Sequence, residues 1–278
     1  MKGLWIIISL ISITNKQKSK IMKNVFLCSI LVLVMASCQK EAIKQTPASS
    51  GAGVKANWSS SAQYASWQNG GYTVYNNIWG SGAGSQSIWA NSYSNWGIWA
   101  NHPNTGGIKS YPNSTKYVGV ALSNLNSCSS SFNATTPSGG AWEVTYDIWD
   151  NNNLYETMLW MNYTGNTDGS GNVKPISYNW NAAGNPIPVY TNVTLGGHTW
   201  TVFRGNNGHN DVFSFLRTSK TNSGTVDVKA IQNWIKNHGW FGNITLGNVQ
   251  LGFEITSSYG NNGSGLNFTT NSYSVSYN

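Results

Sequence analysis

The sequence predicts an all-β fold: a two-sheet antiparallel β-jelly-roll sandwich with one α-helix on its outer face. Two observations predict the sheets. Turn clusters rich in Gly and Asn recur at short intervals, and the short runs between them are rich in Val, Ile, Thr, Tyr, Phe and Trp. A third observation predicts the helix, because a single segment carries apolar residues at helical spacing. With 278 residues, the chain is long enough for one large β domain or two small ones.

Residues 1–38 are predicted to be a signal segment that ends in a lipobox. A lysine-containing stretch precedes an apolar run over residues 25–35, which has the length of a signal-peptide core. Small residues then lead to Cys38, and this arrangement resembles the acylation site of a bacterial lipoprotein. The alternative is an ordinary secretory signal with an incidental cysteine. The spacing also makes Met22 a candidate start.

Residues 39–56 are small and polar, which predicts a flexible tether, and residues 57–278 are the predicted jelly-roll domain. Together these segments predict an exported protein that is lipid-anchored at the bacterial cell envelope or surface. Contact with a membrane is expected only through the anchor at Cys38. A secreted protein is the alternative.

The charge distribution argues against a nucleic-acid partner. The formal charge of +7 comes from the first 55 residues, because the rest of the chain has eight basic and eight acidic residues. A nucleic-acid-binding domain would carry a basic stripe there, whereas a neutral polysaccharide fits. No cofactor or metal is expected, and a monomer is expected. The chain has three cysteines without metal-ligand or disulfide spacing: Cys28, Cys38 and Cys128. The predicted domain contains one of them, Cys128, which is expected to be a small buried residue.

The predicted helix lies between Asp227 and Gly239, where Val228, Ile231 and Ile235 recur at helical spacing. The predicted strands, taken in order along the chain, are residues 71–76, 87–91, 94–99, 117–122, 141–149, 155–163, 187–193, 198–204, 210–216, 248–257 and 272–277.

Carboxylates occupy the same kind of face on three of these strands. Side chains alternate between faces along a strand, so Glu156, Met158 and Trp160 share one face, and Asp147 and Glu254 lie on the corresponding faces of two other strands. The opposite faces are more apolar and should form the core. A mixed polar and aromatic face suits sugar binding, and glycosidic hydrolysis requires two carboxyl groups across the scissile bond.

Five segments resemble glycoside hydrolase family 12, the small jelly-roll endoglucanases and xyloglucanases. They are Tyr75-Asn76-Asn77-Ile78-Trp79-Gly80, Lys109-Ser110-Tyr111-Pro112-Asn113, Tyr146-Asp147-Ile148-Trp149, Tyr155-Glu156-Thr157-Met158-Leu159-Trp160 and Gly252-Phe253-Glu254. The order and the set of motifs together are specific, and the resemblance covers residues from about 58 to 277.

The resemblance implies roles for three acidic residues. Glu156 corresponds to the family's nucleophile, Glu254 to its acid/base, and Asp147 to the Asp beside the nucleophile. Glu143 and Asp150 are expected near the cleft rim or in solvent.

Four further residues correspond to the family's substrate contacts: Asn77, Trp79, Met158 and Trp160. The predicted function is therefore a retaining endo-β-1,4-glucanase that hydrolyses β-glucan, xyloglucan or both by double displacement. One alternative is a non-catalytic cell-surface carbohydrate-binding lipoprotein, and another is a related jelly-roll enzyme that acts on xylan.

Overall fold

The computed structural model of the chain describes residues 56–260 and 263–278. The predicted signal segment, Cys38 and all but the last residue of the predicted tether lie outside these residues. The described residues form a short 3-10 helix, Leu122–Asn124, one α-helix, α1 (Val228–Asn237), and fifteen strands. The strands are β1 (Trp58–Ser60), β2 (Ser66–Asn69), β3 (Tyr72–Tyr75), β4 (Ser85–Ser92), β5 (Asn95–Asn101), β6 (Asn113–Ala121), β7 (Cys128–Thr135), β8 (Ala141–Asp150), β9 (Tyr155–Tyr163), β10 (Tyr190–Leu195), β11 (His198–Asn206), β12 (Asp211–Arg217), β13 (Ser223–Asp227), β14 (Thr245–Ser257) and β15 (Leu266–Tyr277).

The strands pair into two sheets. The larger sheet has nine strands in the order β10-β11-β12-β9-β8-β14-β6-β3-β2, and the smaller has six in the order β1-β4-β5-β15-β7-β13. The predicted fold class is confirmed. All pairs of named strands are antiparallel except one: β12 runs parallel to β9, because the chain leaves β9 by a long connection and returns through β10 and β11.

The main core fills the space between the two sheets. Trp96 of β5 packs edge-on against Phe253 of β14 with ring centroids 5.5 Å apart, and Phe268 of β15 meets Trp142 of β8 at 5.8 Å. Burying such side chains stabilises the fold by about 1.5–3 kcal/mol each. Because strand residues alternate, this packing directs the remaining side chains of β8 and β14 to the opposite face of the nine-stranded sheet.

Helix α1 is confirmed, and it packs on the same core. Asp227 caps it by accepting a hydrogen bond from a backbone N–H of the first turn, and Gly239 follows its end with φ of +69°. Trp234 packs edge-on against an aromatic side chain of β12. Among residues 56–260 and 263–278, no helix is both long and apolar enough to cross a membrane. The apolar stripe of α1 is completely buried: Val228, Ile231 and Ile235.

Four strands, β1, β2, β7 and β13, were not predicted. Strand β7 shows why: its inward-facing residues include Ser130 and Cys128, whose side chains are small, so the apolar alternation is weak. The Ser130 hydroxyl is satisfied inside by donating to a backbone carbonyl of β15 at 2.8 Å. Cys128 is buried in the main core, as predicted.

Asp150 closes the tight turn between β8 and β9. Its carboxylate accepts hydrogen bonds from the backbone N–H groups of Asn152, Leu154 and Tyr155 at 2.9, 2.7 and 2.8 Å. The expectation that Asp150 lies at a rim or in solvent was wrong, because the turn directs three N–H groups at this one side chain and buries it. Asp150 therefore fixes the start of β9.

We expect Asp150→Ala to lower the free energy of unfolding by about 1–3 kcal/mol, because it leaves backbone donors in the turn without their acceptor. Asp150→Asn keeps one oxygen acceptor and should lose less. Urea unfolding followed by tryptophan fluorescence measures both. Equal stability of Asp150→Ala and the unmodified protein would contradict the capping role.

Candidate active site

Four carboxyl groups lie on one face of three neighbouring strands. Glu156 is on β9, Asp147 and Glu143 are on β8, and Glu254 is on β14, and the sheet order places β8 between the other two. Their side chains face away from the main core, as the alternation predicts. All four are buried, with exposed fractions of 8, 3, 2 and 8% in the order named.

The register of the strands sets the arrangement of these groups. Asp147 pairs with Met158 on β9, which makes Asp147 a diagonal neighbour of Glu156. Glu254 lies directly opposite Glu143, so the two carboxyl groups are close enough to share a hydrogen bond. The expectation that Glu143 lies at the rim or in solvent was wrong. The face of β8 that is turned away from the main core is also largely buried, so a polar residue on that face is not exposed.

Among residues 56–260 and 263–278, no cation forms an ion pair with this group of carboxyls. In the described part of the chain, the single ion pair joins Arg204 and Asp211, at 3.9 Å, and both belong to strands outside the carboxyl group. Within the same residues, no set of three or more His, Cys, Asp or Glu side chains is arranged to hold a metal ion. Burial and mutual repulsion therefore decide which carboxyls ionise.

Glu156 is held near its point of half-ionisation at neutral pH. Burial raises its pKa to about 7, with a further contribution from the charge of Glu254. The amide of Asn210 opposes this by donating to Oε2 of Glu156 at 3.2 Å, which favours the ionised form. Sequence reasoning missed Asn210. It immediately precedes β12, and only the parallel pairing of β12 with β9 brings it beside Glu156.

Asp147 is the more strongly perturbed neighbour. Burial raises its pKa well above the usual range, and the charges of Glu156 and Glu254 add to this. The nearby hydroxyl groups of Thr145 and Tyr111 lower the pKa of Asp147 without cancelling this rise. Burial likewise raises the pKa of Glu254. One buried face therefore holds both ionised and protonated carboxyls at neutral pH, which is what combined nucleophilic and acid catalysis needs.

Gly252 explains the Gly-x-Glu spacing around Glu254. A Cβ atom at Gly252 would lie 2.2 Å from the carbonyl oxygen of Pro112, and that oxygen accepts a hydrogen bond from the N–H of Phe253 at 3.1 Å. Only glycine allows this close approach of the two backbones. The Lys-Ser-Tyr-Pro-Asn segment is therefore anchored against the strand that carries Glu254.

Met158 and Trp160 lie on the same face as Glu156 but are 5 and 2% exposed. They belong to a second apolar cluster, which is covered by Val173 and Ile176 of the 164–189 connection. Their predicted role as substrate contacts stays a prediction, and packing is what the structure shows for them.

Asn77 and Trp79 lie on the segment that follows β3. Asn77 adopts a left-handed conformation with φ of +41°, and its amide donates to the carbonyl of Tyr111 at 3.1 Å. The indole of Trp79 is 48% exposed, which leaves its ring available for stacking. Contact of these two residues with substrate stays a prediction.

The chain is similar to known glycoside hydrolases in sequence and structure. A family model described as Glycosyl hydrolase family 12 matches residues 70–278. The probable xyloglucan-specific endo-β-1,4-glucanase A of Aspergillus flavus is 31% identical over 221 residues, covering 74% of this chain and 85% of that protein.

Two solved structures extend the comparison. The xyloglucanase domain of NopAA, a type three effector from Sinorhizobium fredii solved in complex with cellobiose, is 53% identical with a TM-score of 0.78, covering 81% of this chain and 100% of that one. A thermostable cellulase derived from that of Rhodothermus marinus is 28% identical with a TM-score of 0.66, covering 80 and 99%. The chain belongs to glycosyl hydrolase family 12 and is a glycoside hydrolase.

Proposed function

We propose that the protein is a retaining endo-β-1,4-glucanase whose preferred substrate is xyloglucan, with unbranched β-glucan as a second substrate. The observation that carries this proposal is that Glu156 and Glu254 are buried on the same face of one sheet, where no cation among the described residues forms an ion pair with either group. The preference for xyloglucan is supported by two relatives: the xyloglucanase domain of NopAA, which is 53% identical, and the probable xyloglucan-specific endo-β-1,4-glucanase of Aspergillus flavus, which is 31% identical.

In the proposed first step, the carboxylate of Glu156 attacks the anomeric carbon and forms a covalent glycosyl-enzyme. The carboxylic acid of Glu254 gives its proton to the leaving glycosidic oxygen. In the second step the Glu254 carboxylate takes a proton from water, and the resulting hydroxide displaces Glu156. Two inversions leave the anomeric configuration unchanged. The amide of Asn210 keeps Glu156 ionised and oriented.

Asp147 modulates the nucleophile in this scheme. Two adjacent buried carboxylates repel each other strongly, so Asp147 keeps its proton while Glu156 ionises. A protonated neighbour lets Glu156 carry its negative charge near neutral pH. Ionised Asp147 would instead hold Glu156 in its protonated, unreactive form.

A purely carbohydrate-binding protein is the second candidate, and the same face argues against it. Burying an ionisable group without a countercharge is costly. A binding surface gains nothing from four of them, since sugars are recognised by amides, hydroxyls and aromatic rings. An enzyme acting on xylan is separated from both by substrate assays.

We propose further that the protein is exported and acylated at Cys38. The support is the sequence alone: a short apolar run followed by small residues and a cysteine. In bacteria grown with a labelled fatty acid, the unmodified protein should carry the label and fractionate with membranes, whereas Cys38→Ser should carry none. An unlabelled wild-type protein would contradict the anchor.

The catalytic roles are tested by Glu156→Ala and Glu254→Ala, assayed in parallel on xyloglucan, barley β-glucan and xylan. We expect Glu156→Ala to lose activity by a factor on the order of 10⁴ on every substrate. Glu254→Ala should lose about 10²–10⁴-fold on polysaccharide. It should still form the glycosyl-enzyme rapidly from a dinitrophenyl oligosaccharide, whose leaving group needs no proton, and azide should restore its turnover as a β-glycosyl azide.

Asp168→Asn is the matched control, since Asp168 is an exposed carboxylate on the 164–189 connection. It should behave as the unmodified enzyme. Near-wild-type activity in either glutamate variant would refute the assignment. Tight glucan binding without new reducing ends in the unmodified protein would favour the binding-only alternative.

The buried carboxyl of Glu156 also makes folding stability depend on pH. Its pKa is about 7 in the folded protein against an ordinary value of 4.5, so the folded state binds the extra proton between these values. The stabilisation is complete below pH 4.5 and is lost as pH rises through 7. We expect the free energy of unfolding of the wild type, relative to that of Glu156→Gln, to fall by roughly 3 kcal/mol as the pH rises from 4.5 to above 7. Urea unfolding at pH 4.5–8 measures it, and a pH-independent difference would contradict the raised pKa.

A further inference from the structure

We propose that Glu143 is a positioning residue for the acid/base: its carboxyl group, hydrogen-bonded to that of Glu254, holds Glu254 in place and stabilises it each time it releases its proton. The proposal rests on the assignment of Glu254 as the acid/base. None of the motifs that resemble the family includes Glu143, and its role follows from the folded arrangement.

The pairing of β8 with β14 places the two residues face to face. They are directly opposite in the antiparallel register, and both side chains point to the face of the nine-stranded sheet that is turned away from the main core. Cβ atoms of opposite residues lie about 4.5–5.5 Å apart, so two glutamate side chains there are forced into contact. With 2 and 8% exposure, neither can turn out to solvent.

A proton between the two carboxyls is what makes this contact favourable. Oε2 of Glu143 is buried, and among the described residues no amide, hydroxyl or cationic donor reaches it. Lys220 lies over the ring of Tyr163, the residue that pairs with Glu143 on β9, but it donates to the backbone carbonyls of Tyr163 and Gly165. Two buried carboxylates without a cation would repel. A protonated Glu143 instead donates a hydrogen bond to Glu254 in either state, and that bond becomes strong and charge-assisted when Glu254 is a carboxylate.

Glu143 is the member of the pair that keeps its proton. The titratable groups facing it are Glu254 on β14, Asp147 on its own strand and Tyr163 opposite it on β9. Burial raises the pKa of Glu143 well above the usual range, and the charges of Glu254 and Asp147 add to this. Burial also keeps Tyr163 un-ionised. The O–H of Glu143 therefore donates to Glu254.

This hydrogen bond matters most midway through the reaction. When Glu254 has given its proton to the leaving oxygen, it is a buried carboxylate, and the O–H of Glu143 is the donor that stabilises it. Glu254 then takes a proton from water and returns to its starting state. Glu143 keeps its own proton throughout, so the protons of the cycle balance.

The test compares Glu143→Ala, which removes the donor, with Glu143→Gln, which keeps an N–H donor of similar shape. Losing a donor disfavours ionised Glu254, so the basic limb of the kcat/KM profile on xyloglucan should move up by about one pH unit in Glu143→Ala. In Glu143→Gln it should stay within a few tenths of a unit. Glu143→Ala should also lose about 10–100-fold in kcat on xyloglucan. Its rate of glycosyl-enzyme formation from a dinitrophenyl oligosaccharide should change little, because that step needs no proton from Glu254.

Thermal melting of both variants controls for folding. If Glu143→Ala does not fold, the difference infrared spectrum between wild type and Glu143→Gln provides the decision, because it should show a protonated carboxyl band lost from the variant at pH 7. An unshifted basic limb in folded Glu143→Ala, or absence of that band, would overturn the proposal. Failure of the proposed function is distinguishable, since Glu254→Ala would then remain active on polysaccharide, whatever Glu143 does.

Discussion

The repulsion among four carboxyl groups, shut away from water on one face of a sheet, is the constraint on which the rest of the site depends. In a medium of low polarity, adjacent negative charges interact far more strongly than in water. Glu156, Asp147, Glu143 and Glu254 therefore cannot all ionise, and each one's state depends on the others. The division into nucleophile, acid and protonated neighbours is a property of the group, not of any one residue.

Such an arrangement is tolerated because the other face of the same strands is buried in the main core. Every second residue of β8 and β14 enters the aromatic core between the sheets, where Trp96, Phe253 and Phe268 interlock. That apolar burial offsets the free energy that is lost by burying four carboxyl groups on the opposite face. Hydrogen bonds between strands also fix the register, so the carboxyls cannot move apart to relieve their repulsion.

Alternation along the strands was enough to predict the face of Glu156, Asp147 and Glu254, because their strands carry large apolar residues at every second position. The expected exposure of Glu143 and Asp150 was wrong, because their burial comes from pairing across strands and from a turn. Alternation did fail for β7, where the small side chains of Cys128 and Ser130 fill inward positions. The partnership of Asn210 with Glu156 depends on a parallel pairing across 54 residues, and no local pattern encodes a contact of that separation.

That separation has a kinetic consequence. The hairpin of β8 and β9 closes through a turn of a few residues, whereas β12 reaches β9 only after the 164–189 connection and two further strands have been placed. Bringing distant segments together carries an entropic cost that slows their pairing. During folding, the two sheets are therefore expected to assemble before the amide of Asn210 reaches Glu156. A newly made molecule would then be compact before its active site is complete.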